Sequence, residues 1–534
     1  MTLARAALVA AGLLAGLSTS MTYGPGEAYA QNVKTIRYVG FSEPKVLDPV
    51  ASWLAVTLQH GYLVYDTLFS RDADGVAQPQ MVDSWEVSDD KKRYVFVLRD
   101  GLAFHDGSPV EAEDVVASIA RWAQRDSSGK TLLGFGMKLA ALDVKTVELT
   151  LEVPTLIVID AFAKPTAAPL FIMRKEEAVT PPTEPVAEII GSGPFKFVRQ
   201  EHVPGSKLVY ERNPDYVARS EPASYLSGGK IARVDRVEWV VLPDAGSAVN
   251  ALIAGEIDVY ERPPLDLLPL LEASPDVAMQ IGNEQGTMGY LRPNHTQVIF
   301  NTREGRRALA ALIDQEEYLR AVAGVDGKYW RTCHSFFACG GRLESEAGME
   351  ELKTPDIEEA RELFRKAGYD GQMIGLLGVT DSTFLKEFSI ITAERMKEAG
   401  LNVDLRMTDI ASMLASRKNR DIPEKGGWSM FPMSSFGFEL DDPIGNFWLA
   451  SKCEKNVYAG WPCDAKMEEL LDSWARELDP VKQKQISVEI QKEAALDFPI
   501  VLLGQYFYPV AFRTSVSGLP KAPLTVFWNA DKKM

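Results

Sequence analysis

Tyr94-Val95-Phe96-Val97-Leu98 leads, through Phe104-His105-Asp106-Gly107-Ser108-Pro109, into the segment 111–123, where Val115, Ile119 and Trp122 recur. The first five residues are a β-branched and aromatic run of strand length. Phe104 to Gly107 reads as a structural turn, although its His and Asp look catalytic. Ser108-Pro109 then reads as the cap and first-turn proline of an amphipathic helix. Strand, turn and helix in that order recur along the chain. Thr354-Pro355 opens a helix with Ala360, Leu363 and Phe364 inward and Gly368 as its stop. A helix over 382–399 ends at Gly400 and precedes a short strand over 403–407. Helices over 466–478 and 481–495 are separated by Asp479-Pro480, and 500–512 reads as buried strand. This alternation predicts α/β lobes rather than a sandwich or a solenoid. Seams bearing Pro and Gly near 180–194 and 282–294 are the predicted crossovers between lobes.

Composition excludes several classes. With 46 % hydrophobic and 25 % charged residues, the 534-residue chain is neither disordered nor fibrous, and its length suits about three units with their own cores. Its net charge of −17 argues against nucleic-acid phosphates or an anionic membrane surface as partners, because both demand clustered Lys and Arg. Arg5 precedes an apolar run over 6–17 that is too short to span a bilayer, and Ala28-Tyr29-Ala30 has the form of a signal-peptidase site. Cleavage after Ala30 is expected, giving an exported chain without a lipid anchor and with no membrane-spanning segment. Four cysteines in an oxidising compartment imply disulfides. Of the three possible connectivities, the local one, Cys333–Cys339 with Cys453–Cys463, is favoured. A metal reading of Cys333, His334 and Cys339 lacks a C-x-x-C knuckle and a second ligand pair.

Enzyme motifs are missing from the sequence. It contains no H-E-x-x-H, no G-x-S-x-G, no phosphate-cradling G-x-x-x-x-G-K-[ST] and no G-x-G-x-x-G. The five histidines are scattered, with no pair at ligand spacing. The acidic cluster Glu439-Leu440-Asp441-Asp442-Pro443 lacks the calcium-loop pattern. A secreted hydrolase using Asp441 and Asp442 is disfavoured, since adjacent loop carboxylates do not flank a scissile bond. Binding is the better expectation, and no cofactor is expected.

Ordered motifs carry the reading further. Leu47-Asp48-Pro49, Tyr65-Asp66-Thr67-Leu68-Phe69, Asp83-Ser84-Trp85 and Leu98-Arg99-Asp100-Gly101 precede the turn and helix quoted above. Gly191-Ser192-Gly193-Pro194-Phe195, Asn213-Pro214-Asp215-Tyr216, Ala254-Gly255-Glu256-Ile257-Asp258 and Tyr458-Ala459-Gly460-Trp461 follow in sequence order. Nearly the whole mature chain thus resembles the extracellular solute-binding proteins of the peptide/nickel class, receptors of ABC importers. The resemblance implies a two-lobe periplasmic-binding-protein fold of type II with an additional subdomain on the first lobe. The expected parts are 31–75, 190–285 and 495–534 for lobe one, 76–189 for the subdomain and 286–494 for lobe two. It also implies a monomer in the periplasm that closes on a small-molecule ligand and hands it, chemically unaltered, to the permease.

The same resemblance nominates a site. Family peptide binders anchor the ligand's α-ammonium on an aspartate four residues before the proline of an E-P or D-P pair. Here Glu439 stands four residues before Pro443, with Phe436 where a tryptophan is usual. Tyr290-Leu291-Arg292-Pro293-Asn294 resembles the family's crossover strand; Arg292 suits a ligand carboxylate or phosphate, and Asn294 a polar group or a cap. Trp53 and Trp428 are candidate aromatic walls. A peptide or amino-acid-derived solute is the leading ligand class, with an opine, an oligosaccharide or a metal chelate as alternatives. Nickel is disfavoured, as no His or Cys pair is placed to hold it directly.

Overall fold

The computed structural model describes residues 33–165, 168–325, 327–455 and 458–533. The expected leader and its cleavage point after Ala30 lie outside them. Strand Thr35–Val39 is central to a seven-stranded sheet, parallel to Arg236–Val240 on one side and to Val259–Glu261 on the other. Phe195–Phe197 and Lys207–Arg212 extend one edge, Pro509–Arg513 and Val277–Ile281 the other. A six-stranded sheet forms the second lobe, in the order Trp330–Arg331, Val501–Tyr506, Thr287–Pro293, Met430–Phe436, Met373–Val379, Asn402–Thr408. The chain passes from the first sheet to the second between Ile281 and Thr287 and returns between Tyr506 and Pro509. The apolar run 500–512, read as one strand, is therefore two, one in each sheet. Val501–Tyr506 belongs to the second sheet although 495–534 was expected in lobe one. An antiparallel sheet of Val82–Val87, Arg93–Leu98, Thr146–Thr150 and Lys138–Ala141, covered by helix Ala112–Ala123, makes the additional subdomain.

Two helices start two or three residues after the sequence expectation. Helix Ala112–Ala123 is opened by Glu111, whose backbone N–H donates to Asp114 at 2.8 Å, and not by Ser108. Helix Ile357–Lys366 is capped by Asp356, which accepts from Glu359 N at 2.9 Å. In both, the acceptor nearest the first free amides sets the start. Helix Pro480–Asp497 begins at Asp479 as expected.

The ordered motifs turn out to tie the scaffold together. Asp66 accepts from Tyr216 Oη and from buried Lys230 Nζ, both at 2.8 Å, which joins two motifs 150 residues apart. A Cβ on Gly191 would sit 1.9 Å from Val64 O, so this close approach admits only glycine. His105 N donates to Gly191 O at 2.8 Å and its Nε2 to Gly193 O at 3.1 Å. Burial holds the His105 ring down to about 4, so it stays neutral and structural. Asp258 accepts from Arg37 N and Lys532 Nζ, both at 2.8 Å, after a helix that ends on Gly255 in the left-handed region (φ 78°).

Candidate functional site

A cavity of about 390 Å³ lies between the lobes. Its first-lobe wall is the hairpin turn 71–75, Tyr225 and 282–285; its second-lobe wall is 340–342 and 438–442. Lys164 reaches in from the subdomain. Charges of both signs line it, with Arg71, Lys164 and Arg342 facing Glu439, Asp441 and Asp442.

Each side chain is positioned by its element. Cys333 and Cys339 form a disulfide across Cα atoms 5.8 Å apart, and Gln505 Nε2 donates to Cys339 O at 3.1 Å. The clamped loop delivers Gly340, Gly341 and Arg342 to the rim. Arg342 Nη1 lies 3.4 Å from Asp160 Oδ2 and its Nε 3.6 Å from Asp441 Oδ2. Asp160 also meets Arg71 Nη2 at 3.2 Å, so one subdomain carboxylate bridges an arginine from each lobe. Lys164 Nζ lies 2.6 Å from Asp126 and 3.8 Å from Asp442, and Ser128 Oγ donates to Asp442 at 3.2 Å. The two walls are thus joined by ion pairs across the gap. Burial pushes the Asp441 carboxyl up, with Arg342 and Arg71 pulling against it. Its Oδ1 is buried without a hydrogen-bond partner among the described residues. A polar atom left bare in a cleft is what a ligand donor satisfies.

The six sequence candidates separate. Glu439 lines the cavity, and its Oε2 accepts from Phe436 N at 3.2 Å. Phe436 stacks on Phe438 with ring centroids 5.1 Å apart and lies 4.4 Å from the Arg262 guanidinium, which also lies 4.7 Å from the Phe41 ring. This cation–aromatic cluster joins the lobes beside the cavity. Trp53 is partly buried beneath Arg125 at 4.6 Å and packs between the first lobe and the subdomain. Trp428 is fully buried against Phe431 and Trp461, in the second-lobe core and away from the cleft. Asn294 is also fully buried; its Nδ2 donates to Trp428 O at 3.0 Å and its Oδ1 accepts from Thr296 N at 3.0 Å, a cap on the crossover strand. Arg292 lines a separate second-lobe cavity. Sequence reading passed over Arg71, Lys164 and Arg342. The signals present were the Asp74-Gly75 turn after a strand and the glycine pair following Cys339.

Cys453 and Cys463 are also paired, completing the local connectivity. Among the described residues, no group of three His, Cys, Asp or Glu is placed to hold a metal ion, and no helix is long and apolar enough to cross a membrane.

Comparison with known proteins agrees with this architecture. Residues 76–457 match the family model described as bacterial extracellular solute-binding proteins, family 5 middle. The chain is 39 % identical over 541 residues, covering all of both chains, to a Sinorhizobium fredii protein named "Probable peptide ABC transporter periplasmic-binding protein y4tO". Among solved structures, AgaA of A. tumefaciens R10 in complex with agropinic acid superposes with a TM-score of 0.74 at 24 % identity, over 94 % of this chain and 99 % of that one. A dipeptide-binding protein of Pseudoalteromonas sp. SM9913 in complex with Met-Leu gives 0.75 at 17 % identity, over 94 % and 100 %. These structural likenesses bear on the fold, which is that of type II periplasmic binding proteins.

Proposed function

Since the chain belongs to the bacterial extracellular solute-binding proteins of family 5, we propose that it captures a zwitterionic peptide or amino-acid-derived solute between its lobes. Closure presents the loaded receptor to the permease of an ABC importer, and the solute leaves unaltered; the protein is not an enzyme. The observation that carries this reading is the interlobe cavity itself, lined by fixed charges of both signs from opposite walls that ion pairs already link. A ligand touching both walls binds the closed state better than the open one, and that difference is what shifts the population. The curated relative's name supports a peptide, and the Met-Leu and agropinic acid complexes support amino-acid-sized cargo in this fold. We place the mature protein in the periplasm as a monomer, released by cleavage after Ala30.

Glu439 is the anchor for the solute's cationic group, a charge-assisted contact in a closed, dry cleft. Glu439→Gln keeps an oxygen for the Phe436 amide but loses the charge. Affinity for the solute retained by protein purified from the periplasm falls about a hundredfold, while the melting temperature stays nearly constant. Calorimetry on the purified variant checks this, and unchanged affinity removes Glu439 from the role.

A further inference from the structure

A second cavity, of about 460 Å³, is built from the second lobe alone. Tyr290 and Arg292 enter it from strand Thr287–Pro293, and Phe431 from its neighbour, in register with Arg292. The loop closed by Cys453–Cys463 supplies Tyr458, Ala459 and Trp461. The connection after helix Ile410–Ser416 supplies Arg417, Lys418 and Arg420. Among the described residues, four cations and five aromatic rings line this space, and no Asp or Glu does. Arg417 lies 5.8 Å over Phe431 and Arg420 4.2 Å over Trp461. No described carboxylate pairs with either arginine or with Lys418.

Arg292 is the informative residue, at 2 % exposure. Its Nε donates to Ala459 O at 3.0 Å and its Nη1 to Pro499 O at 3.1 Å, both neutral acceptors. Its Nη2 is buried with no hydrogen-bond partner among the described residues. Burial drags the guanidinium down to about 10, the direction expected of a cation without a counter-charge. Such a group is costly unless something completes it. The surroundings are shaped for it as well. Gly460 has φ 104°, and a Cβ there would meet Arg292 Nε and Pro293 O at 2.8 Å, so only glycine lets the loop lie against the guanidinium.

We propose that this pocket takes the carboxylate end of an anionic solute with a flat apolar body, Arg292 Nη2 donating to the carboxylate and the aromatic rings holding the body. The proposal rests on the solute-capture reading and names the second half of the cargo. Strand Met430–Phe436, which supplies Phe431 to this pocket, runs directly into the turn Gly437–Glu439 that carries Glu439 to the interlobe cavity, so one element serves both sites. A zwitterion places its carboxylate here and its ammonium toward Glu439. Because every described lining residue lies between Tyr290 and Trp461, the second lobe holds the anion before the lobes shut. Arg417 and Arg420 at the rim offset the repulsion that a chain of net charge −17 exerts on an anion.

Benzoate and its neutral isostere benzamide are the probes, titrated into the mature protein and followed by calorimetry and tryptophan fluorescence. Benzoate is expected to bind at least about tenfold more tightly than benzamide and to weaken with salt. Arg292→Met removes donors from backbone carbonyls and endangers folding, so the double variant Arg417→Gln/Arg420→Gln carries the test. It lowers benzoate affinity about tenfold and leaves benzamide unchanged. Trp461→Phe removes the fluorescence response. Equal binding of the two probes, no benzoate binding, or a double variant indistinguishable from the parent overturns the proposal. If any of these occurs while the periplasmic solute still binds and is lost in Glu439→Gln, the pocket falls and solute capture stands; if the solute does not bind either, both fall.

Discussion

Asp48→Ala is expected to lower folding stability by about 3–5 kcal/mol, measured by denaturant unfolding. Asp48 and Arg121 form a fully buried pair, with Nη2 donating to Oδ2 at 2.7 Å and Nη1 to Oδ1 at 3.2 Å. The same carboxylate accepts from Val50 N and from Val186 N, each at 2.9 Å. Arg121 in turn donates to Thr180 O and Glu184 O, both at 2.9 Å. One residue therefore gathers the first-lobe loop, the subdomain helix and the returning seam near 180–186. Removing it leaves a guanidinium buried without its counter-charge and the Val50, Ala51 and Val186 amides without this acceptor. Asp48→Asn, which keeps an amide acceptor but not the charge, is expected to fall between the parent and alanine. A loss below about 1 kcal/mol for alanine, the level of an exposed pair, contradicts this account.

Lys164→Met is the second large effect. Asp126 is fully buried, and its carboxyl is already held above the ordinary range by burial, with Lys164 as the chief opposing influence. Without the ammonium, Asp126 and Asp442 face each other across the cleft uncompensated. The expected loss at neutral pH is again about 3–5 kcal/mol. Its pH dependence has a definite sign. A carboxyl with a raised folded-state pKa binds its proton more tightly folded than unfolded, so its burden on stability grows as pH rises from the unfolded pKa to the folded one. The deficit of Lys164→Met therefore shrinks on acidification through that window. Adding Asp126→Asn to Lys164→Met recovers most of the loss at neutral pH, and a double variant as unstable as the single one refutes the assignment.

Local patterning in the sequence carried much of the fold. Ala360 and Phe364 are buried where helical spacing put them, and Gly400 ends its helix with φ 87°. The caps were harder, because Glu111 and Asp356 compete with Ser108 and Thr354 and only backbone angles decide between them. The run 500–512 carries no turn signal at Phe507-Tyr508, so its division between two sheets is invisible until the partner strands are known. Glu439, a candidate from its place before Asp442-Pro443, lines the interlobe cavity, whereas Arg292, a candidate from its place on the crossover strand, lines a separate one. Arg71, Lys164 and Arg342 were not candidates, since their proximity is set by how two lobes and a subdomain meet. Trp428 and Asn294 look like ligand-facing types in sequence, but in the structure they complete the second-lobe core and the crossover cap. Arg417 and Arg420 entered no sequence reading, since their contacts with Phe431 and Trp461 exist only in the fold.

Small-angle X-ray scattering of the purified protein, stripped of solute and then titrated with the solute recovered from its own periplasm, addresses closure directly. The radius of gyration is expected to fall as the sites fill and to return when the solute is dialysed away. A profile that stays the same at saturation would mean that the lobes do not close on their cargo.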